Sequence, residues 1–149
     1  MYSAIRRLQE KRHNGEEGFT LIELLVVIII IGILAAIAIP VFLNQRAKGW
    51  DSAVKADLRN AATAQETFLT DTGLYSAQTP AGAELTNVGF KYSTGSNYQG
   101  GTGAIDVTAV GNQSYCLEAV SASGKTFVYK SPSGLGEVGQ GNPAVTACA

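Results

Sequence analysis

The chain has 149 residues, 46% of them apolar and 15% charged, and its 11 basic and 12 acidic side chains leave a formal charge of −1. That is the length of one ordinary domain, and the balanced charge excludes both a nucleic-acid binder working through a broad basic surface and a charge-rich disordered chain. The apolar residues are unevenly placed: Leu24 to Leu43 is a block of 20 residues without a charge, 18 of them apolar, which excludes a wholly soluble cytosolic protein.

Residues 1–18 precede the block and carry Arg6, Arg7, Lys11 and Arg12 beside Glu10, Glu16 and Glu17. A secretory signal peptide would need a shorter apolar stretch closed by a small-residue site. Ala36-Ile37-Ala38 has that form, but the block continues past it to Leu43. A single-pass anchor fits better, since 20 helical residues span ~30 Å, about one hydrocarbon core. The leading bases place the N-terminus in the cytoplasm, although Arg46 and Lys48 beyond the block weaken that asymmetry. Neither reading accounts for the front edge, Gly18-Phe19-Thr20-Leu21-Ile22-Glu23. A carboxylate entering an apolar span costs roughly 2.5–3.5 kcal/mol at the bilayer centre and less at its interface. Taken alone, Glu23 reads either as an interfacial residue or as a functional acid that needs a partner.

The combination of a basic leader with Lys11-Arg12, the Gly18-Phe19 junction, Glu23 at the fifth position after it and the apolar block resembles the N-terminus of a type IV prepilin. The resemblance covers roughly residues 11–50, and the leader, with its Lys-Arg and Glu-Glu pairs, is similar to Gram-positive, actinobacterial examples. It implies cleavage between Gly18 and Phe19 by a membrane prepilin peptidase that also N-methylates Phe19. A mature chain of 149 − 18 = 131 residues follows, with seven bases, nine acids and a net charge of −2. It further implies that Glu23 of one subunit meets the Phe19 amine of its neighbour during assembly. A buried, unpaired carboxylate disfavours any packing that fails to supply a cation, so Glu23 would also fix register. Gly32 and Pro40 interrupt the block; membrane helices tolerate both, and the resemblance implies that the stretch between them can lose helical order in the filament.

Beyond Leu43 the pattern becomes amphipathic. Trp50, Ala53, Val54, Leu58, Ala61, Gln65, Phe68 and Leu69 recur at steps of three and four. Asp51 and Lys55 are ordered as an i,i+4 pair worth ~0.2–0.5 kcal/mol. Gly49 is a weak point and Gly73 a C-terminal stop. One helix from Phe19 to about Asp71 would be ~80 Å long. Its first half, 19–43, would sit in lipid or a helical bundle, and its second, 44–71, against a globular layer.

Residues 72–149 supply that layer, with 13 of the 17 glycines. Val88–Ser93, Ala104–Val110, Tyr115–Val120 and Thr126–Lys130 have β character, with breaks at Gly100-Gly101 and Gly111-Asn112 and a hairpin turn at Ser123-Gly124. They predict an antiparallel meander of about four strands, one face covering the helix stripe, with Gly73–Asn87 as a surface loop. The fold class is therefore α+β, a pilin fold. Cys116 and Cys148 are an even pair in a segment expected outside the cytoplasm, and a disulfide tying the tail from Ser131 onward back to the third segment is the reading. Two reduced buried thiols are the alternative.

Other motifs are weak. Ser123-Gly124-Lys125-Thr126 lacks the first glycine of a phosphate loop, where Ala119 stands. Asn112-Gln113-Ser114 is a glycosylation sequon in a host that reads it. The single histidine, His13, lies in the leader, so neither a metal site nor a cofactor is expected, nor an enzyme. The five tyrosines from Tyr75 to Tyr129 suit sheet packing more than base stacking, and no direct nucleic-acid binding is expected. The expected function is the structural major subunit of a type IV pilus serving adhesion, motility or DNA uptake. Its expected partners are copies of itself, the prepilin peptidase and methyltransferase, the pilus assembly machinery and, before assembly, membrane lipid. The alternatives are a pseudopilin of a secretion or competence system and a single-pass anchored extracellular binding domain.

Overall fold

The computed structural model describes residues 19–93, 95–101, 103–139 and 148. The chain divides into two units, one ending at Phe42 and the other running from Leu43 to Ala149. Helix α1, Leu21–Thr72, belongs to both and is continuous through Gly32, Pro40 and Gly49. It stops where the sequence places the stop: Gly73 takes φ +80° and its N–H reaches the Leu69 carbonyl at 2.8 Å, a left-handed conformation that glycine adopts without steric cost.

In the first unit, from Phe19 to Phe42, only Ala35 is even half-buried. In the second unit α1 presents Val54, Leu58, Ala61, Ala62 and Ala64 to the core. Three alanines in that stripe let the helix backbone approach the sheet closely. The sheet is a meander of β1 (Asp106–Val110), β2 (Ser114–Val120), β3 (Thr126–Lys130) and β4 (Gly134–Glu137), every neighbouring pair antiparallel. Tyr115, Leu117 and Ala119 alternate inward along β2, as a half-buried strand requires. Val107 from β1 and Phe127 from β3 complete the layer. Ser121, Gly124 and Lys125 close the β2–β3 turn, with Gly124 at φ +86°.

Two elements differ from the sequence reading. Val88–Ser93 is not a strand, and Gly73–Asn87 is not simply a loop. A short helix α2, Ala83–Asn87, ends there. The Phe90 N–H bonds the Leu85 carbonyl and the Gly89 N–H bonds that of Thr86, with Gly89 at φ +98°. This is a Schellman ending with its usual apolar contact, here between buried Leu85 and Phe90. The fourth strand is instead β4, inside the tail from Ser131 onward, where the sequence reading placed no strand.

The free edge of β1 is covered by the segment that follows α1. The Tyr75 N–H bonds the Gly111 carbonyl at 2.9 Å and the Ala81 N–H bonds that of Ile105 at 2.8 Å. Between them the Thr79 hydroxyl donates to the Val107 carbonyl and accepts from its N–H, at 2.7 and 3.0 Å. An edge strand so occupied cannot recruit another strand.

Candidate assembly site

The first turn of α1 holds the predicted assembly residues. Phe19 is 75% exposed; Gly18, the other half of the expected cleavage site, and the leader 1–18 lie outside the described residues. Thr20 caps the helix. Its hydroxyl oxygen accepts from the Glu23 N–H at 3.2 Å, while a Glu23 carboxylate oxygen accepts from the Thr20 N–H at 3.3 Å and from the Thr20 hydroxyl at 3.2 Å. This is a reciprocal capping box of the Thr-x-x-Glu type. The sequence reading missed it, although the spacing from Thr20 to Glu23, directly before an apolar run, is its signature. Glu23 also lies where the positive end of the helix dipole favours a carboxylate.

From Phe19 to Leu43, eighteen large apolar side chains are exposed, none by less than 44%. Monomeric soluble proteins rarely leave more than a few hundred Å² of contiguous apolar surface uncovered. Among the described residues, α1 is the one helix long and apolar enough to cross a membrane. Gly32 lies in open space, with nothing within 4 Å of the position a Cβ would take, and Pro40 sits inside the helix.

Within the second unit, α1 is fastened to the head by buried polar contacts that the sequence did not reveal. Asp57 accepts from the Ser93 N–H and hydroxyl at 2.9 and 2.6 Å and from the Tyr98 hydroxyl. Burial, then the neighbouring Asp57 carboxylate, pushes the Tyr98 hydroxyl pKa far upward. Gln65 is fully buried and acts as a surrogate peptide, donating to the Ser76 carbonyl and accepting from its N–H, both at 2.9 Å. Asp51 does not pair with Lys55 as the i,i+4 spacing predicted. Its carboxylate turns inward to accept from the Ser121 and Ser123 hydroxyls, with the Lys125 ammonium 3.9 Å away. Lys55 lies over the Phe127 ring, 4.6 Å from its centroid. A weak surface pair has given way to buried hydrogen bonds, which are worth more.

The tyrosines pack in two clusters. Tyr115 lies between Tyr75 and Tyr129, with ring centroids 4.7 and 6.2 Å away; Tyr92 lies between Phe90 and Tyr98, at 4.8 and 6.0 Å. Cys116 on β2 and Cys148 form a disulfide, with 5.8 Å between their Cα atoms. The Cys148 N–H is held at 2.7 Å by Glu118. The first strand of the tail is part of the sheet, so the disulfide fixes the end of a segment already paired through β4.

Comparison with known proteins agrees with this architecture. Residues 13–39 match the model of the prokaryotic N-terminal methylation motif. The chain is 36% identical over 119 residues to the type IV wide pilus major component PilA4 of Thermus thermophilus, covering 80% of this chain and 84% of that one. It is a type IV pilin. The pilin is also 34% identical over 114 residues to a fimbrial protein of Pseudomonas aeruginosa, covering 76% of this chain and 71% of the relative. To the type IV major pilin protein PilA of Myxococcus xanthus it is 51% identical over 59 residues, 40% of this chain but 27% of that relative.

Proposed function

We propose that this pilin is the structural major subunit of a type IV pilus. It is held in the cytoplasmic membrane as a single-pass precursor with its N-terminus in the cytoplasm, and is cleaved between Gly18 and Phe19 by the prepilin peptidase, which N-methylates Phe19. It then polymerises with copies of itself into an extracellular filament, driven by separate membrane machinery. The observation that carries the reading is the exposed apolar helix surface from Phe19 to Leu43. Such a surface needs lipid before assembly and other copies of the same helix after it. Glu23 lies in the first turn, four residues from Phe19, and in the filament it pairs with the Phe19 amine of a neighbour. Gly32 and Pro40 serve as points where the helix can extend.

The test is to collect shed filaments and sequence their principal subunit by mass spectrometry. The expected product begins at an N-methylated Phe19, lacks residues 1–18, and disappears together with the filaments when its gene is deleted. Filaments that persist unchanged after deletion would assign the chain to a minor pilin or a pseudopilin. Retention of residues 1–18 would favour an anchored binding domain.

A further inference from the structure

The bases just beyond the apolar block have no role in the scheme above, and they run against the charge asymmetry that orients the span. Between Glu23 and Asp51 the chain contains no acid, while Arg46 and Lys48 follow Leu43 by three and five residues. Both are exposed. The Arg46 guanidinium lies over the half-exposed Trp50 ring, 4.9 Å from its centroid. At 100° per residue Arg46 and Lys48 fall on opposite sides of α1, so the bases surround the helix. The nearest acid in sequence on that side, Asp51, is 8% exposed and occupied by Ser121 and Ser123. Among the described residues no acid pairs with either base.

Along a helix the three side chains stand ~4.5, ~7.5 and ~10.5 Å past Leu43. All of them lean toward the N-terminus, back toward the bilayer. The headgroup layer beyond each hydrocarbon face is roughly 5–7 Å deep. Arginine and lysine reach phosphate from this depth, and tryptophan favours the same layer. We propose that Arg46, Lys48 and Trp50 form a collar that binds anionic phospholipid headgroups in the leaflet opposite the leader. The collar fixes the depth of the precursor and must be released when a subunit is extracted. It rests on the membrane-precursor reading given above.

Trp50 is the single tryptophan of the chain, so its fluorescence reports on the collar alone. The full chain is reconstituted in phosphatidylcholine vesicles containing increasing fractions of phosphatidylglycerol, and quenching of Trp50 by neutral acrylamide is measured. Trp50 is expected to become protected as phosphatidylglycerol is added, and salt to reverse the effect. Arg46→Gln or Lys48→Gln alone is expected to raise the fraction needed by roughly fivefold, the effect of one base near an anionic surface. The double variant is expected to show no dependence while remaining resistant to carbonate extraction. Protection independent of phosphatidylglycerol, or one that survives the double substitution, would overturn the collar. Carbonate extraction of the wild-type chain would overturn the membrane reading itself, and the collar with it.

Discussion

Alkaline pH provides a direct test of how the head is locked to its helix. Tyr98 is 2% exposed, and its hydroxyl donates to Asp57, itself buried at 4% exposure. Ionising that hydroxyl in place would bury a phenolate and set it against a carboxylate, so burial first and Asp57 second hold the folded-state pKa well above the ordinary tyrosine value of 10.0. Above that value the unfolded chain releases the Tyr98 proton and the folded chain keeps it. The unfolded state then binds fewer protons, and stability must fall as pH rises, by about 1.4 kcal/mol per pH unit for this one group. The contribution is fully present below about pH 9, and a titration from about pH 9 to 12 removes up to ~2.7 kcal/mol through Tyr98. The assay is urea unfolding of the processed subunit in detergent at stepped pH, with tyrosinate absorbance followed in parallel. Tyr98→Phe lowers stability at neutral pH by the loss of one hydrogen bond, but its alkaline slope is shallower by ~1.4 kcal/mol per pH unit. Tyr115, also buried and raised in pKa mainly by burial, accounts for part of the slope that remains. Equal slopes for wild type and Tyr98→Phe would refute the reasoning, because Tyr98 would then ionise in the folded state at its ordinary pKa.

Three further perturbations follow from the other contacts. Thr20→Ala removes the capping box and is expected to cost ~1 kcal/mol in the first turn. Hydrogen exchange at the Glu23 and Leu24 amides in micelles should then quicken several-fold, with Thr20→Ser restoring the wild-type rate. Gln65→Ala strands the buried Ser76 N–H and carbonyl and is expected to cost ~2–4 kcal/mol, read as a lower urea midpoint. Replacing Cys116 and Cys148 together with serine is expected to cost roughly 2–4 kcal/mol, and reduction of the wild type should produce the same loss.

What was legible in the sequence was local chemistry. The Gly18–Glu23 edge and the apolar block declare themselves by residue type alone. β2 reads correctly because Tyr115, Leu117 and Ala119 alternate with half-exposed neighbours. Val88, Phe90 and Tyr92 alternate in the same way, yet the backbone of Gly89 and Phe90 is taken up by the ending of α2, and periodicity cannot distinguish a strand from an irregular segment that packs every second side chain inward. β4 was hidden for the opposite reason. Gly134 and Gly136 weaken its intrinsic preference, and its strand character comes from pairing with β3. Asp51 was misread as half of a surface pair because a polar residue on a helix is normally solvated, and nothing near Asp57 or Gln65 in the chain names the groups they bind. Their partners lie between 11 and 72 positions away, where no sequence pattern reaches.

The capping box alters the energetics of the proposed assembly. Glu23 is not a bare carboxylate awaiting a cation: in the free subunit it already accepts from the Thr20 N–H and hydroxyl. Pairing with the Phe19 amine of a neighbour is then an exchange or an addition at the second carboxylate oxygen. Its contribution to filament stability is the difference between the two arrangements, smaller than a newly formed ion pair would give. The discrimination is not reduced in the same proportion. A packing that buries Glu23 against apolar side chains without an amine leaves a charge that Thr20 alone cannot compensate. In the assembly proposed above, the arrangement would lower the cost of holding the acid in the membrane while preserving the charge's discrimination against misaligned neighbours. Glu23→Gln should accordingly keep the cap, since glutamine still accepts from Thr20, yet lose alignment. Its first-turn amides should exchange at wild-type rates while filament yield falls. If filament yield and register were unchanged in Glu23→Gln, the charge would have no part in assembly and Glu23 would serve the cap alone.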